Sequence, residues 1–375
     1  MAAKGIPDLR TLLGSRRGGA SRRDARPHRG PPEVRHTGRG SNADDAVRNT
    51  DQDAAGSRVS CVDLGYLHDP YAKLFALEPA TRRLPLLNRG TYVRTSAIDL
   101  LIDRFMMAAP ETAKQIISLG AGTDTRYFRL CDKYPSAKLV YHEIDFPTNT
   151  AAKLAAIQRH AQLHSKLRTD SPQDPASLGP GATTYHSATY NVHALDLRSL
   201  AHTIADATPQ TLPNLDPSIP TLILSEMCLV YLQASTVSSI ISRFVNDFLP
   251  TPTPVSLVLY EPILPNDAFG RVMTSNLSSR NIYLPTLSAY PELGDQRARL
   301  KQYGLADGAK AADNEWIWRE WIPEEEKERV AGLEFLDEME ELDLLLKHYC
   351  VAWGWRDDGQ GVFSEAWRDI RDAGG

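Results

Sequence analysis

The chain has 375 residues, 42% of them hydrophobic, and a formal net charge of −5, which suits one large globular domain or two small ones with a packed core. No apolar run approaches the roughly 18–20 residues of a membrane span, and no apolar signal-peptide core follows Met1. Residues 1–40 carry nine arginines and one lysine against Asp8, Asp24 and Glu33, so the remainder stands at −12, an acidic body with no nucleic-acid surface.

Residues 1–57 are poor in aromatic and β-branched residues and rich in Gly, Arg, Ser and Asp. Such a segment cannot bury enough apolar area to offset its ordering entropy, so it is expected to be a disordered Arg-rich tail. A single domain is expected over 58–375. Asp69-Pro70 reads as a turn, followed by a short helix over Tyr71–Leu77. Asn88-Arg89-Gly90 reads as a second turn leading into a helix from Thr91 to about Ala108, with Tyr92, Ile98, Leu101, Ile102 and Phe105 on its apolar face. That places Arg89 and Arg94 at or near a helix start. The macrodipole disfavours a cation there, which hints at another purpose such as holding a carboxylate.

Gln115–Arg129, QIISLGAGTDTRYFR, is the centre of the chain. Ile116, Ile117 and Leu119 form the apolar run of a buried parallel strand. Gly120-Ala121-Gly122 lets the backbone turn sharply and approach a ligand, and Thr123 or Asp124 is placed to cap a helix beginning near Thr125. The next apolar run, Leu139–Ile144, ends at Asp145. An acid at that tip accepts hydrogen bonds from a ribose, of a dinucleotide or of S-adenosylmethionine. The third glycine of a dinucleotide loop would fall at position 125, which is Thr, so the pattern favours S-adenosylmethionine.

A helix is expected from Pro147 to about Arg168, then a polar loop over 169–182. Further strands are expected at 192–195, 221–225 and 255–260, with helices at Arg198–Ala207 and Gln233–Phe248 between them. Apolar strands alternating with helices predict a doubly wound parallel α/β sheet. Acids recur at strand ends, at Asp145, Asp196, Glu226 and Glu261, the edge where such sheets bind ligands. Residues 263–335 break the alternation and read as a helical insert or lid, with helices at Phe269–Leu277 and Arg297–Tyr303. Trp316, Trp318 and Trp321 read as core or lid packing, and Leu333–Leu346 as a helix with a solvated acidic face. His348–Trp355 and Gly359–Glu365 read as a C-terminal antiparallel hairpin. Cys61, Cys131, Cys228 and Cys350 are scattered with no metal-ligand spacing, which points to reduced thiols in a cytoplasmic protein without a metal. Nothing suggests a coiled coil or a repeat, so a monomer is expected.

With these motifs in place the chain resembles the leucine carboxyl methyltransferases, which methylate the C-terminal leucine carboxylate of the type 2A protein phosphatase catalytic subunit. The resemblance runs in family order across about 58–365. It rests on Ser57-Arg58, Gly65-Tyr66, Asp69-Pro70-Tyr71, Asn88-Arg89-Gly90 with Arg94, LGAGTDTR at 119–126, EIDFP at 143–147, DLR at 196–198, SEMCLVYL at 225–232, YE at 260–261 and LEFLDEMEELDLLLKHYC at 333–350. It implies a Rossmann-like class I methyltransferase fold and S-adenosylmethionine contacts at Arg58, Arg94, Gly120, Asp145, Asp196, Leu197 and Glu226. Arg58 stands where the family has a lysine. The resemblance also implies that Arg94, with Arg89 and Tyr231, holds the leucine carboxylate. Small-molecule carboxyl or hydroxyl O-methyltransferases share the LGAG-x-DTR turn and are the alternative.

Overall fold

The computed structural model describes residues 39–77, 81–167, 178–201 and 211–374. Eight strands form one sheet: β1 Lys114–Leu119, β2 Leu139–Asp145, β3 Tyr185–His186, β4 Tyr190–Ala194, β5 Thr221–Glu226, β6 Val255–Pro262, β7 Gly308–Asp313 and β8 Tyr349–Arg356. Their order is β3-β4-β2-β1-β5-β6-β8-β7. The run β4-β2-β1-β5-β6 is parallel, with Ile117 level with His142 on one side and Ile223 on the other. β8 runs antiparallel to both β6 and β7, and the two-residue β3 is antiparallel to β4.

Every residue of β1 and β6 is buried, as strands covered on both faces require. Side chains alternate between two cores with the period of 2 that a pleated strand imposes. Ile116, Leu222, Leu224 and Val258 point into one, and Ile117, Ile223, Leu257 and Leu259 into the other. Helices cover both faces, which makes the doubly wound arrangement that the alternation of elements predicts.

Two helices on the first face shape the site. Helix α1, Arg39–Asp63, takes in residues assigned by composition to the tail, and residues 1–38 lie outside the described part. Its second half is packed in the ordinary way, with Ala55, Val59, Ser60 and Cys61 buried. Its first half is polar, and charge ties the helix down at Asp44, which meets Arg198 at 2.9 Å, and just past the midpoint at Asp53, which meets Arg280 at 2.6 Å. Apolar periodicity cannot reveal a helix held in that way.

Helix α2 runs Pro85–Met107, six residues earlier than Thr91. Pro85 occupies the first turn, where its missing N–H costs nothing. Leu86, Asn88 and Arg89 are already buried, so Asn88-Arg89-Gly90 is helix, not a turn. Arg89 and Arg94 therefore lie inside the helix, and the macrodipole argument does not apply to them.

The expected C-terminal hairpin is corrected in its partner. β8 does pair antiparallel, but with β6 and β7, while Val362–Ala366 is a helix. Phe363 of that helix stacks on Phe105 of α2 at 4.9 Å, and Trp367 Nε1 donates to the Leu101 carbonyl at 3.0 Å, which anchors the C-terminal segment to the core. The 263–335 insert is helical at Ala268–Ser279 and Leu293–Gln302 but also supplies edge strand β7. Trp316, Trp318 and Trp321 pack against the first core as expected. Among the described residues no helix is long and apolar enough to cross a membrane.

Candidate active site

The turn after β1 brings backbone close to two side chains. Gly120 and Gly122 have φ of +62° and +44°, a region that suits glycine. A Cβ on Gly120 would stand 2.5 Å from Cys228 Sγ, and one on Gly122 2.2 Å from Asp51 Oδ1. The Gly120 N–H donates to the Ile144 carbonyl at 2.8 Å, which locks the turn to the end of β2. The helix that follows, α3, starts at Arg126, and Asp124 Oδ1 accepts its first N–H at 3.0 Å.

Asp145 closes β2. Its Oδ2 accepts the Gly122 N–H at 2.7 Å, and its Oδ1 accepts the Phe146 N–H at 2.6 Å and Asn149 Nδ2 at 3.0 Å. A carboxylate has about four lone-pair sites, so this one keeps acceptor capacity for a ligand hydroxyl. Burial pushes its pKa up, against the hydrogen bonds that stabilise the anion.

A cavity of about 410 Å³ opens at the C-terminal ends of the parallel strands. It is within the size range of small-molecule sites. Arg58, Arg94, Gly120, Asp145, Asp196, Leu197, Glu226 and Tyr231 all line it, so residues spread over 174 positions of sequence share one space. Arg89 does not. Its guanidinium reaches the Glu334 carbonyl at 3.4 Å and Met339 Sδ at 3.9 Å, on the side of α2 that packs on the 333–347 segment. Arg89 and Arg94 are five positions apart, which puts them on different faces of a helix with 3.6 residues per turn. Of the four strand-end acids, Glu261 is also outside the cavity, buried in a 2.8 Å ion pair with Arg299.

One corner of the cavity is built around Glu226. It accepts from Arg94 Nε and from Arg126 Nη1, the latter at 2.5 Å. Burial pushes the Glu226 carboxyl up, but Arg126, Arg94 and Arg58 outweigh it and hold it well below the usual carboxylate range. Arg126 itself is 2% exposed and also meets Asp99 at 3.0 Å and Asp124 at 2.9 Å. The Arg94 guanidinium lies 4.8 Å from the Tyr260 ring, and Tyr260 stacks on Tyr349 at 5.7 Å. Tyr231 and Tyr349 complete the corner. Burial raises the Tyr231 phenol above its ordinary value, so at neutral pH it is a hydrogen-bond donor.

Toward β4, Asp196 grips the Arg198 guanidinium with both oxygens, at 3.0 Å and 2.6 Å, and Leu197 is buried beside it. Arg198 and Arg48 flank the Phe146 ring at 5.8 Å and 5.6 Å. Apart from Arg58, sequence reading missed the wall opposite the sheet, which α1 supplies through Asp44, Val47, Asp51, Ala54 and Arg58. Those positions follow the 3-4-3-4 spacing of one helical face, a signal hidden because its members are mostly charged. No group of three or more His, Cys, Asp or Glu among the described residues is arranged to hold a metal ion.

A parallel sheet with a reversed strand near one edge, a glycine turn after β1 and an acid at the tip of β2 together define an S-adenosylmethionine-dependent methyltransferase. The residues fit that cofactor: a turn whose glycines carry no Cβ, an acid with spare acceptor capacity, and an apolar floor at Leu197 and Phe146. Residues 46–245 match the family model described as leucine carboxyl methyltransferase. The chain is 46% identical over 395 residues to leucine carboxyl methyltransferase 1 of Aspergillus fumigatus, covering 99% of this chain and 98% of that one. It is 40% identical over 331 residues to the Yarrowia lipolytica protein of that name, covering 83% and 97%, and 35% identical over 320 residues to an Arabidopsis thaliana homolog, covering 85% and 92%. The chain belongs to the leucine carboxyl methyltransferase family.

Proposed function

We infer that this enzyme methylates the C-terminal leucine α-carboxylate of the protein phosphatase 2A catalytic subunit and forms a methyl ester. The observation that carries this reading is the continuity of one cavity from the Gly120–Gly122 turn and Asp145 to the corner made by Arg94, Glu226, Tyr231 and Tyr349. S-adenosylmethionine, when bound, supplies a methyl group already activated by its sulfonium. Asp145 takes the ribose hydroxyls, Asp196 and Leu197 frame the adenine, and Arg58 and Arg94 hold the carboxylate of the cofactor.

A carboxylate is a nucleophile at pH 7, so no side chain has to remove a proton. What the protein supplies is alignment and exclusion of water. Arg94 and the Tyr231 hydroxyl are placed to orient the leucine carboxylate. An unopposed guanidinium would pair two-pronged with a carboxylate and lower its nucleophilicity. Here Glu226 already accepts from Arg94 Nε, which moderates its charge. The enzyme works in the cytoplasm as a monomer, in keeping with its four free cysteines.

The test is methyl transfer from labelled S-adenosylmethionine to the phosphatase catalytic subunit, with a subunit lacking its last leucine in parallel. Label confined to the intact subunit and released by mild base is the expected result. Label on neither, with cofactor binding intact, would turn the reading to a small-molecule carboxyl or hydroxyl O-methyltransferase.

A further inference from the structure

Beneath the glycine turn lies a buried ion pair that the mechanism does not use. Lys153, on the helix Pro147–Arg159, is 4% exposed, and Glu143 on β2 is 1% exposed. Lys153 Nζ meets Glu143 Oε2 at 2.5 Å, and the same oxygen accepts the Tyr190 hydroxyl at 2.9 Å. The ammonium lies 5.6 Å from the Phe75 ring, against the first core. Two charges in such a place contribute little net stability, because desolvation offsets their attraction, and apolar side chains of like volume often do as well or better. The pair therefore calls for a reason other than stability.

The second contact of the ammonium supplies one. Lys153 Nζ donates to the Asp124 carbonyl at 2.8 Å. Asp124 stands at the end of the glycine turn and lines the cavity. The start of that turn is fixed by the Gly120 N–H on the Ile144 carbonyl at 2.8 Å, and its middle by the Gly122 N–H on Asp145 Oδ2 at 2.7 Å. Its end is tied through Lys153 to Glu143. Three consecutive residues of β2 thus hold the three parts of the turn. Glu143 and Asp145 are two positions apart, so their side chains leave the same face of the sheet. Asp145, at the strand tip, reaches the turn directly. Glu143 stands one step further back, and the long side chain of Lys153 spans the difference.

We propose that Lys153, held by Glu143, is a positioning residue for the cofactor: it fixes the end of the glycine turn and so sets the affinity for S-adenosylmethionine. It touches no ligand itself. The pair can then be removed with loss of cofactor affinity and without loss of the fold.

The test is the full chain carrying Lys153→Met and Glu143→Gln together, a change that leaves neither of these charges buried without its partner and keeps an acceptor for the Tyr190 hydroxyl. Calorimetric affinity for S-adenosylhomocysteine should fall about tenfold, while the melting temperature stays within a few degrees. In methyl transfer to the phosphatase catalytic subunit, KM for S-adenosylmethionine should rise about tenfold and kcat should stay within about twofold. Unchanged affinity would make the pair core packing and overturn the proposal, and so would a fall in kcat with KM unchanged. If the double variant does not fold, Lys153→Met with Glu143→Met, an apolar pair of like volume, is judged by the same outcomes. Failure of that variant to fold as well would assign the pair to stability and overturn the proposal. Absence of transfer by the unaltered chain would count against the phosphatase reading alone, and the calorimetric comparison would then decide.

Discussion

Acid should destabilise this fold through a pair of histidines at the edge of the sheet, by an amount that can be worked out. His142 on β2 and His193 on β4 are buried, their rings 5.3 Å apart and nearly parallel, with His142 Nδ1 3.0 Å from His193 Nε2. That hydrogen bond needs one protonated nitrogen and one lone pair, which two neutral rings supply and two imidazolium rings cannot. Burial lowers both, to about 3, with His186 adding repulsion from 4.9 Å beyond His193. Unfolded, each would titrate near 6.5. Below that pH the unfolded chain binds protons that the native pair refuses, so stability is full above about pH 6.5 and falls as pH drops. Each histidine costs about 1.4 kcal/mol per pH unit, hence about 2 kcal/mol each and about 4 kcal/mol together at pH 5. The carboxylates also titrate on the way, so the informative quantity is a difference. His193→Gln removes one titrating ring and keeps an amide near His142. Between pH 7.5 and pH 5.0 the unaltered chain should lose about 2 kcal/mol more than this variant, measured by urea unfolding followed through tryptophan fluorescence. Parallel losses for the two proteins would refute the reasoning.

Asp145→Ala should abolish cofactor binding, with a loss of about a hundredfold or more by calorimetry and a melting temperature within a few degrees. Arg94→Ala should lower turnover about a hundredfold in the phosphatase assay, while stability changes little because Arg126 still neutralises Glu226. Arg89→Ala should do the opposite, lowering the melting temperature and leaving turnover of the folded protein near normal, since its partners are Glu334 and Met339. Gly122→Ala would put a Cβ 2.2 Å from Asp51 Oδ1 at a φ of +44°, so it should distort the turn and weaken S-adenosylhomocysteine binding by about tenfold or more in calorimetry.

The parallel strands were legible because burial on both faces demands apolar runs, and their ends were legible because acids interrupt those runs at the ligand edge. Asp145, Asp196 and Glu226 converge for that reason. Strand β7 was not legible: Gly308-Ala309-Lys310-Ala311-Ala312-Asp313 has no large apolar side chain, and only Ala311 and Ala312 are buried. It is a strand because β8 offers it a free edge. The start of α2 was misplaced because Asn88-Arg89-Gly90 has turn composition. Burial of Asn88 and its hydrogen bond to Glu334 at 2.8 Å, 246 positions away, override that local preference. Arg126 passed unnoticed as part of the glycine motif, although it lies buried behind the cavity wall and holds Glu226 there.

The middle of α1 is joined to the body by the hydrogen bonds of Asp51 to Thr123 and by ion pairs whose members are about a third to two-fifths exposed, Asp44 with Arg198 and Asp53 with Arg280. Such pairs weaken with ionic strength, because screening acts over about 8 Å at physiological salt and over about 3 Å at 1 M. The sheet beneath, held by apolar burial, does not respond in that way. The α1 wall of the cavity is therefore held by packing at its C-terminal end and by electrolyte-sensitive pairs toward its N-terminal end. Cofactor exchange should quicken with added salt at concentrations that leave the fold untouched, so the ionic composition around the protein governs access to the site through this helix.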